Sequence, residues 1–201
     1  MKRFYALFAL CCVWAVNALA QLAPEFSTVE KPHYFRIQFT RGNVYLSDEG
    51  NGKLLKSQEA LPLDGQKFQF IGTQDNCVLR SALGHYVTMQ QGTAPDGRSG
   101  QFFAATTDAT KAVNFAFKVQ GKGYELANLA VANNNFMNLF GGGGAGRVLG
   151  MWQFGDVGNA FILKPGDGKV TMPDRYTGYH NVVRGMGEYP LAGVSTFAPK
   201  N

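Results

Sequence analysis

Apolar and polar positions alternate in short runs along most of the chain, and turn-forming residues separate the runs. They fall into three sets. The first is Tyr34–Phe39, Val44–Asp48, Leu54–Gln58 and Gln66–Thr73. The second is Asn76–Ala82, His85–Met89, Gln101–Thr107 and Asn114–Gln120. The third is Gly123–Leu129, Asn135–Phe140, Arg147–Gln153 and Asn159–Lys164. A period of two places successive side chains on opposite faces of a strand, and no longer stretch carries the helical period. The pattern predicts an all-β domain.

The sets repeat one another. Each opens on an alternating run around Ile37, Leu79 or Leu126. Each continues with an aromatic-containing run at Tyr45-Leu46, Tyr86-Val87 or Phe136-Met137. Each closes on an aromatic or apolar alternation at Phe68-Gln69-Phe70, Phe115-Ala116-Phe117 or Phe161-Ile162-Leu163. The closing positions Phe68, Phe115 and Phe161 stand 47 and 46 residues apart, a period that marks a repeat architecture. Three four-stranded units are too few to close a propeller ring. They suit a β-trefoil, a barrel capped by hairpins, over residues 34–165. The aromatic residues are then core residues by default.

The densest turn signal is Asn133–Phe161, which holds five glycines between Gly141 and Gly146. Gly141-x-Gly143-x-x-Gly146 satisfies the dinucleotide pattern, but that chemistry needs a helix after the glycines to meet the phosphate. Here Arg147–Gln153 reads as a strand. A phosphate loop would need Lys then Ser or Thr, where the chain has Arg147 and Val148. A hairpin turn is the reading that remains, and no cofactor is expected.

Residues 1–20 read as a secretory signal: Lys2 and Arg3, an apolar middle, and Ala18-Leu19-Ala20 as the cleavage site. The apolar run is too short for a membrane span. The mature protein is expected to begin near Gln21 and to be secreted, periplasmic or at the cell surface. Cys11 and Cys12 leave with the signal, so Cys77 remains without an intrachain partner, in an apolar run that suits a buried small hydrophobe. Loss of Lys2 and Arg3 leaves a formal net charge of +3 with no basic cluster, which argues against a nucleic-acid partner. Trp152 becomes the only tryptophan.

Gln66-x-Phe68 and, more loosely, Asn159-x-Phe161 resemble the closing Gln-x-Trp element of ricin-type β-trefoil lectins. Leu22–Thr28, Tyr34–Phe39, Phe70–Asn76 and Phe136-Met137-Asn138 through Leu149-Gly150 resemble an N-terminal lectin-like module of secreted Bacteroidetes-type glycoside hydrolases. The resemblance implies a β-trefoil fold and a non-catalytic accessory role. Residues 21–33 read as a leader, and residues 166–201, rich in Gly and Pro, as a linker or strap. Tyr189–Phe197 resembles the lead-in to a catalytic domain, of α-L-fucosidase type, which would follow covalently.

Catalysis by this chain itself finds little support. His33, His85 and His180 are scattered without metal-ligand spacing, and Ser195 is not in a nucleophile elbow. Most Asp residues sit beside Gly or Asn, where they form turns. Carbohydrate binding needs an aromatic face for the sugar ring and planar amides or carboxylates for its hydroxyls. The third repeat supplies Asn133, Asn134, Asn135, Asn138, Phe140, Trp152, Asp156 and Asn159. The candidate glycan-binding residues are Asn138, Trp152, Asp156 and Asn159. The competing reading makes the Asn residues turn caps and Trp152 a core residue. Two other functions stay open: a spacer without ligand, and a protease inhibitor presenting Arg98 on the Ala94–Gly100 turn.

Overall fold

The computed structural model describes residues 22–168. The signal sequence, most of the 166–201 strap and its catalytic-domain lead-in lie outside the described residues. The strands are β1 (Phe26–Ser27), β2 (Phe35–Phe39), β3 (Val44–Ser47), β4 (Lys56–Gln58), β5 (Phe68–Thr73), β6 (Asn76–Ser81) and β7 (Tyr86–Thr93). They continue as β8 (Ser99–Thr106), β9 (Phe115–Gln120), β10 (Gly123–Asn128), β11 (Phe136–Leu139), β12 (Leu149–Trp152) and β13 (Phe161–Pro165). The only helical pieces among the described residues are 3-10 turns at Asp64–Gln66 and Ala109–Lys111. All twelve expected runs are strands, and the all-β reading holds.

The first and last strands of each repeat form a closed ring. β2 pairs β5, β5 pairs β6, β6 pairs β9, β9 pairs β10, β10 pairs β13, and β13 returns to β2. Threefold registry is visible in the pairs Phe35↔Phe68, Cys77↔Phe115 and Tyr124↔Phe161. Hairpins β3–β4, β7–β8 and β11–β12 cap the ring and are joined by the bridges Leu54↔Ala104 and Lys56↔Val148.

The core follows from the alternation. Ile37, Leu79 and Leu126 are fully buried, as are Phe68, Phe70, Phe115 and Phe103. Phe70 meets Phe117 edge-on with centroids 4.9 Å apart. Burying each such ring is worth about 1.5–3 kcal/mol, so the repeated aromatics carry the stability of a domain without disulfides. Cys77 is buried among them, and desolvation pushes its thiol up to about 12, which removes nucleophilic character at neutral pH.

The Gln-x-aromatic element has a physical reason. Gln66 is fully buried and its amide ties down the preceding loop, donating to the Glu59 carbonyl (2.7 Å) and accepting from the Leu61 N–H (2.9 Å). Asn159 does the same in the third repeat, donating to the Gln153 carbonyl at 2.8 Å. In the second repeat Val113 stands in this place.

The leader contributes β1, which pairs in parallel with β5 (Phe26↔Phe70), and the Phe26 ring packs 5.9 Å from Phe117. Two residues are too few to show a period of two.

Candidate functional site

The β11–β12 hairpin sets Phe136 opposite Trp152 and Asn138 opposite Gly150. Trp152 ends β12 and is 50% exposed, so it is not a core residue. The ring of Phe154 packs on Phe136 with centroids 5.1 Å apart, and Phe154 and Val157 are exposed beside it. These side chains form an apolar shelf on the outside of the third repeat.

Beneath the shelf lies a polar network that holds the 153–159 turn. Asp156 Oδ1 accepts from the Gly158 N–H (2.7 Å) and from Asn138 Nδ2 (3.0 Å). Asn138 Nδ2 also donates to Asn159 Oδ1 at 2.7 Å. The Gly155 N–H points at both oxygens of Glu125, 3.2 Å from each. Glu125 is fully buried, and desolvation raises its carboxyl above the ordinary range. The Gly155 N–H and the Asn159 side chain oppose that rise, while nearby Asp156 adds to it. A Cβ on Gly158 would stand 2.7 Å from Asn138 Nδ2 and 3.0 Å from Asp156 Oδ1, so the network fits only around glycine.

The four candidate residues are therefore neighbours with different parts. Asn159 is fully buried and Asn138 nearly so, and both spend their amide hydrogen bonds inside the protein. They position the turn, which leaves Trp152 half exposed and the second oxygen of Asp156 without a protein partner among the described residues. The other third-repeat residues lie apart. Asn133 and Asn134 are exposed in the β10–β11 turn, Asn134 at φ +49°. Asn135 Nδ2 donates to the Asn128 carbonyl at 2.9 Å. Phe140, at the far end of the hairpin, packs edge-on against Phe102.

The glycine-rich turn makes cross-repeat contacts. Ser57 Oγ donates to the Gly144 carbonyl (2.7 Å) and accepts from the Arg147 N–H (3.0 Å), while the Gly146 N–H reaches the Ser57 carbonyl (2.6 Å). A Cβ on Gly42 would stand 2.7 Å from Gly144 N, so two backbones touch there. Arg98, the candidate inhibitory arginine, is held by Asp96 through Nε (3.0 Å) and lies over the Phe140 ring at 4.3 Å.

Sequence reasoning missed two features. Asp48 Oδ2 is shared by Ser81 Oγ (2.5 Å) and His85 Nδ1 (2.9 Å), side chains more than thirty residues away. The serine bonds the carboxylate through its hydroxyl rather than lying on the histidine as a nucleophile would, so the trio ties two repeats together. An open cleft of about 780 Å³ between the second and third repeats is lined by Met89, Gln101, Lys111, Asn114, Asn128 and Met151. Met151 and Trp152, being adjacent on a strand, face opposite ways. No group of three or more His, Cys, Asp or Glu that could hold a metal occurs among the described residues. No helix among them is long and apolar enough to cross a membrane.

No protein-family model and no curated protein matches the sequence. The structure is similar to a Rhizoctonia solani agglutinin, at 12% identity and TM-score 0.53 over 69% of this chain and 99% of that one. A Macrolepiota procera ricin B-like lectin, solved in complex with lactose, gives 16% identity and TM-score 0.53 over 69% and 99%. ThreeFoil, a designed protein with threefold symmetry, gives 11% identity and TM-score 0.51 over 65% and 96%. Identities this low speak for the fold alone, and with the closed ring and three capping hairpins they establish that the chain is a β-trefoil.

Proposed function

We propose that this chain is a non-catalytic carbohydrate-binding module, exported by its signal sequence and acting as the N-terminal accessory domain of a glycoside hydrolase. The observation that carries the reading is the half-exposed Trp152 beside Phe136, at the end of β12 where it enters a turn held by the amides of Asn138 and Asn159 and the carboxylate of Asp156. The exposed indole face is free to stack on the C–H face of a sugar ring. Asp156 supplies a charged acceptor for hydroxyl groups at the edge of the shelf. Likeness to lectin structures supports the reading at the level of the fold. The hydrolase context rests on the sequence resemblance of Tyr34–Phe39 and Phe70–Asn76.

The test is titration of the mature protein with a broad panel of glycans, following Trp152 emission without a label. Binding that shifts the emission and is lost in Trp152→Ala supports the module. A panel that leaves both emission and calorimetry unchanged favours a spacer. Inhibition of trypsin, lost in Arg98→Ala, would favour the inhibitor, against which stands the clamp of Arg98 between Asp96 and Phe140.

A further inference from the structure

Three arginines from three separate loops converge on the glycine-rich turn. Arg41 lies in the β2–β3 turn, Arg98 in the β7–β8 hairpin and Arg147 at the end of the 141–146 turn. Arg98 Nη2 and Arg147 Nη1 stand 3.5 and 3.7 Å from the point a Cβ on Gly141 would occupy, with Asp96 Oδ2 at 3.4 Å. Arg41 Nη2 stands 3.7 Å from the corresponding point on Gly142, its stem lying across Gly143. Gathering like charges costs free energy unless an anion lies among them. The one carboxylate paired here is Asp96, hydrogen-bonded to Arg98 and held below the usual carboxylate range by it and, more weakly, by the charge of Arg147. Arg41 and Arg147 form no ion pair among the described residues.

The platform beneath is fixed. Arg147 is anchored through its own N–H to Ser57 Oγ, and Arg98 through Asp96 and the Phe140 ring. Gly141 and Gly142, at φ +83° and +113°, present backbone rather than side chain to this corner.

We propose that Arg41, Arg98 and Arg147, gathered at the glycine-rich turn, bind the sulfate or carboxylate group of an acidic polysaccharide. The planar guanidinium fork matches either group. A single corner with two unpaired cations suits one anionic group, whereas nucleic acid would ask for a basic track along the surface. The anion site stands on the arginine geometry; the choice of a polysaccharide to carry the anion rests on the carbohydrate reading above.

The experiment measures binding of the mature protein to dextran sulfate, polygalacturonate and neutral dextran, with duplex DNA as competitor. The expected result is binding to at least one acidic polymer, weakened about tenfold or more in Arg41→Gln/Arg147→Gln through loss of charge-assisted bonds. Asp96→Asn, an exposed change, should strengthen it. Lys118→Gln/Lys122→Gln, removing equal charge from the β9–β10 hairpin, should change it little. The preference between the two acidic polymers identifies the anion. Absence of binding to both, an equal loss in the lysine control, full retention in the arginine pair, or preference for DNA would each overturn the proposal. If the arginine pair fails to fold, Asp96→Asn decides: binding no stronger than wild type overturns it. Trp152→Ala separates the two readings, because it should abolish neutral-glycan binding and spare the acidic polymer.

Discussion

Asn138 donates through one nitrogen to two acceptors, Asp156 Oδ1 at 3.0 Å and Asn159 Oδ1 at 2.7 Å. A carboxylate can only accept, so this contact fixes which way the Asn138 amide points. That orientation forces the Asn159 oxygen toward Asn138 and frees its nitrogen for the Gln153 carbonyl. The position of the turn bearing Asp156 is thus set from inside the hairpin that bears Trp152.

Removing the donor should loosen the turn while sparing the barrel. Asn138→Ala leaves the buried Asn159 Oδ1 without its donor and Asp156 Oδ1 with the Gly158 N–H alone, at a cost of about 1–3 kcal/mol. Denaturant unfolding measures this. Trp152 emission should shift further to the red, since the turn beside the indole loses its anchor. An unchanged midpoint would mean that water replaces the amide without loss.

Glu125 predicts a pH dependence of definite sign. Its folded-state value lies above the ordinary 4.5, chiefly through burial. The folded protein therefore holds a proton that the unfolded chain has released, and stability falls as pH rises through that window. It is greatest below the unfolded value. Glu125→Gln should flatten this part of the profile. Thermal unfolding at a series of pH values checks both statements.

Burial separates two aromatic residues. Phe115 is fully buried on the ring strand β9, and Phe115→Ala should cost about 3–5 kcal/mol. Trp152 is half exposed, and Trp152→Ala should cost less than about 1 kcal/mol. A reversed order would mean that the shelf is part of the core.

Asp156→Asn keeps the oxygen that accepts from Gly158 and Asn138 but removes the charge that faces a ligand. Neutral-glycan affinity, expected between millimolar and micromolar, or about −4 to −8 kcal/mol for a shallow site, should weaken. Far-UV circular dichroism should not change. Acrylamide should quench Trp152 readily in both proteins.

The twelve strands and their threefold order follow from the sequence alone, because a period of two is a local property of each run. The aromatics at Phe68, Phe115 and Phe161 recur at nearly constant spacing because each closes a repeat against one shared core. The Gln-x-aromatic resemblance also had a local cause, a side chain tying its own loop. Other features depended on which segments meet in space. Whether Trp152 faced inward or outward turned on the register of β12 with β11 and on its place at the hairpin's outer end. Asn138 and Asn159 read in sequence as candidate glycan ligands and Glu125 as a polar residue like any other; closure of the ring buried them and turned them into supports for Asp156. Arg41, Arg98 and Arg147 lie far apart along the chain, and only the packing of three loops over the cap brings them to the same glycine-rich turn.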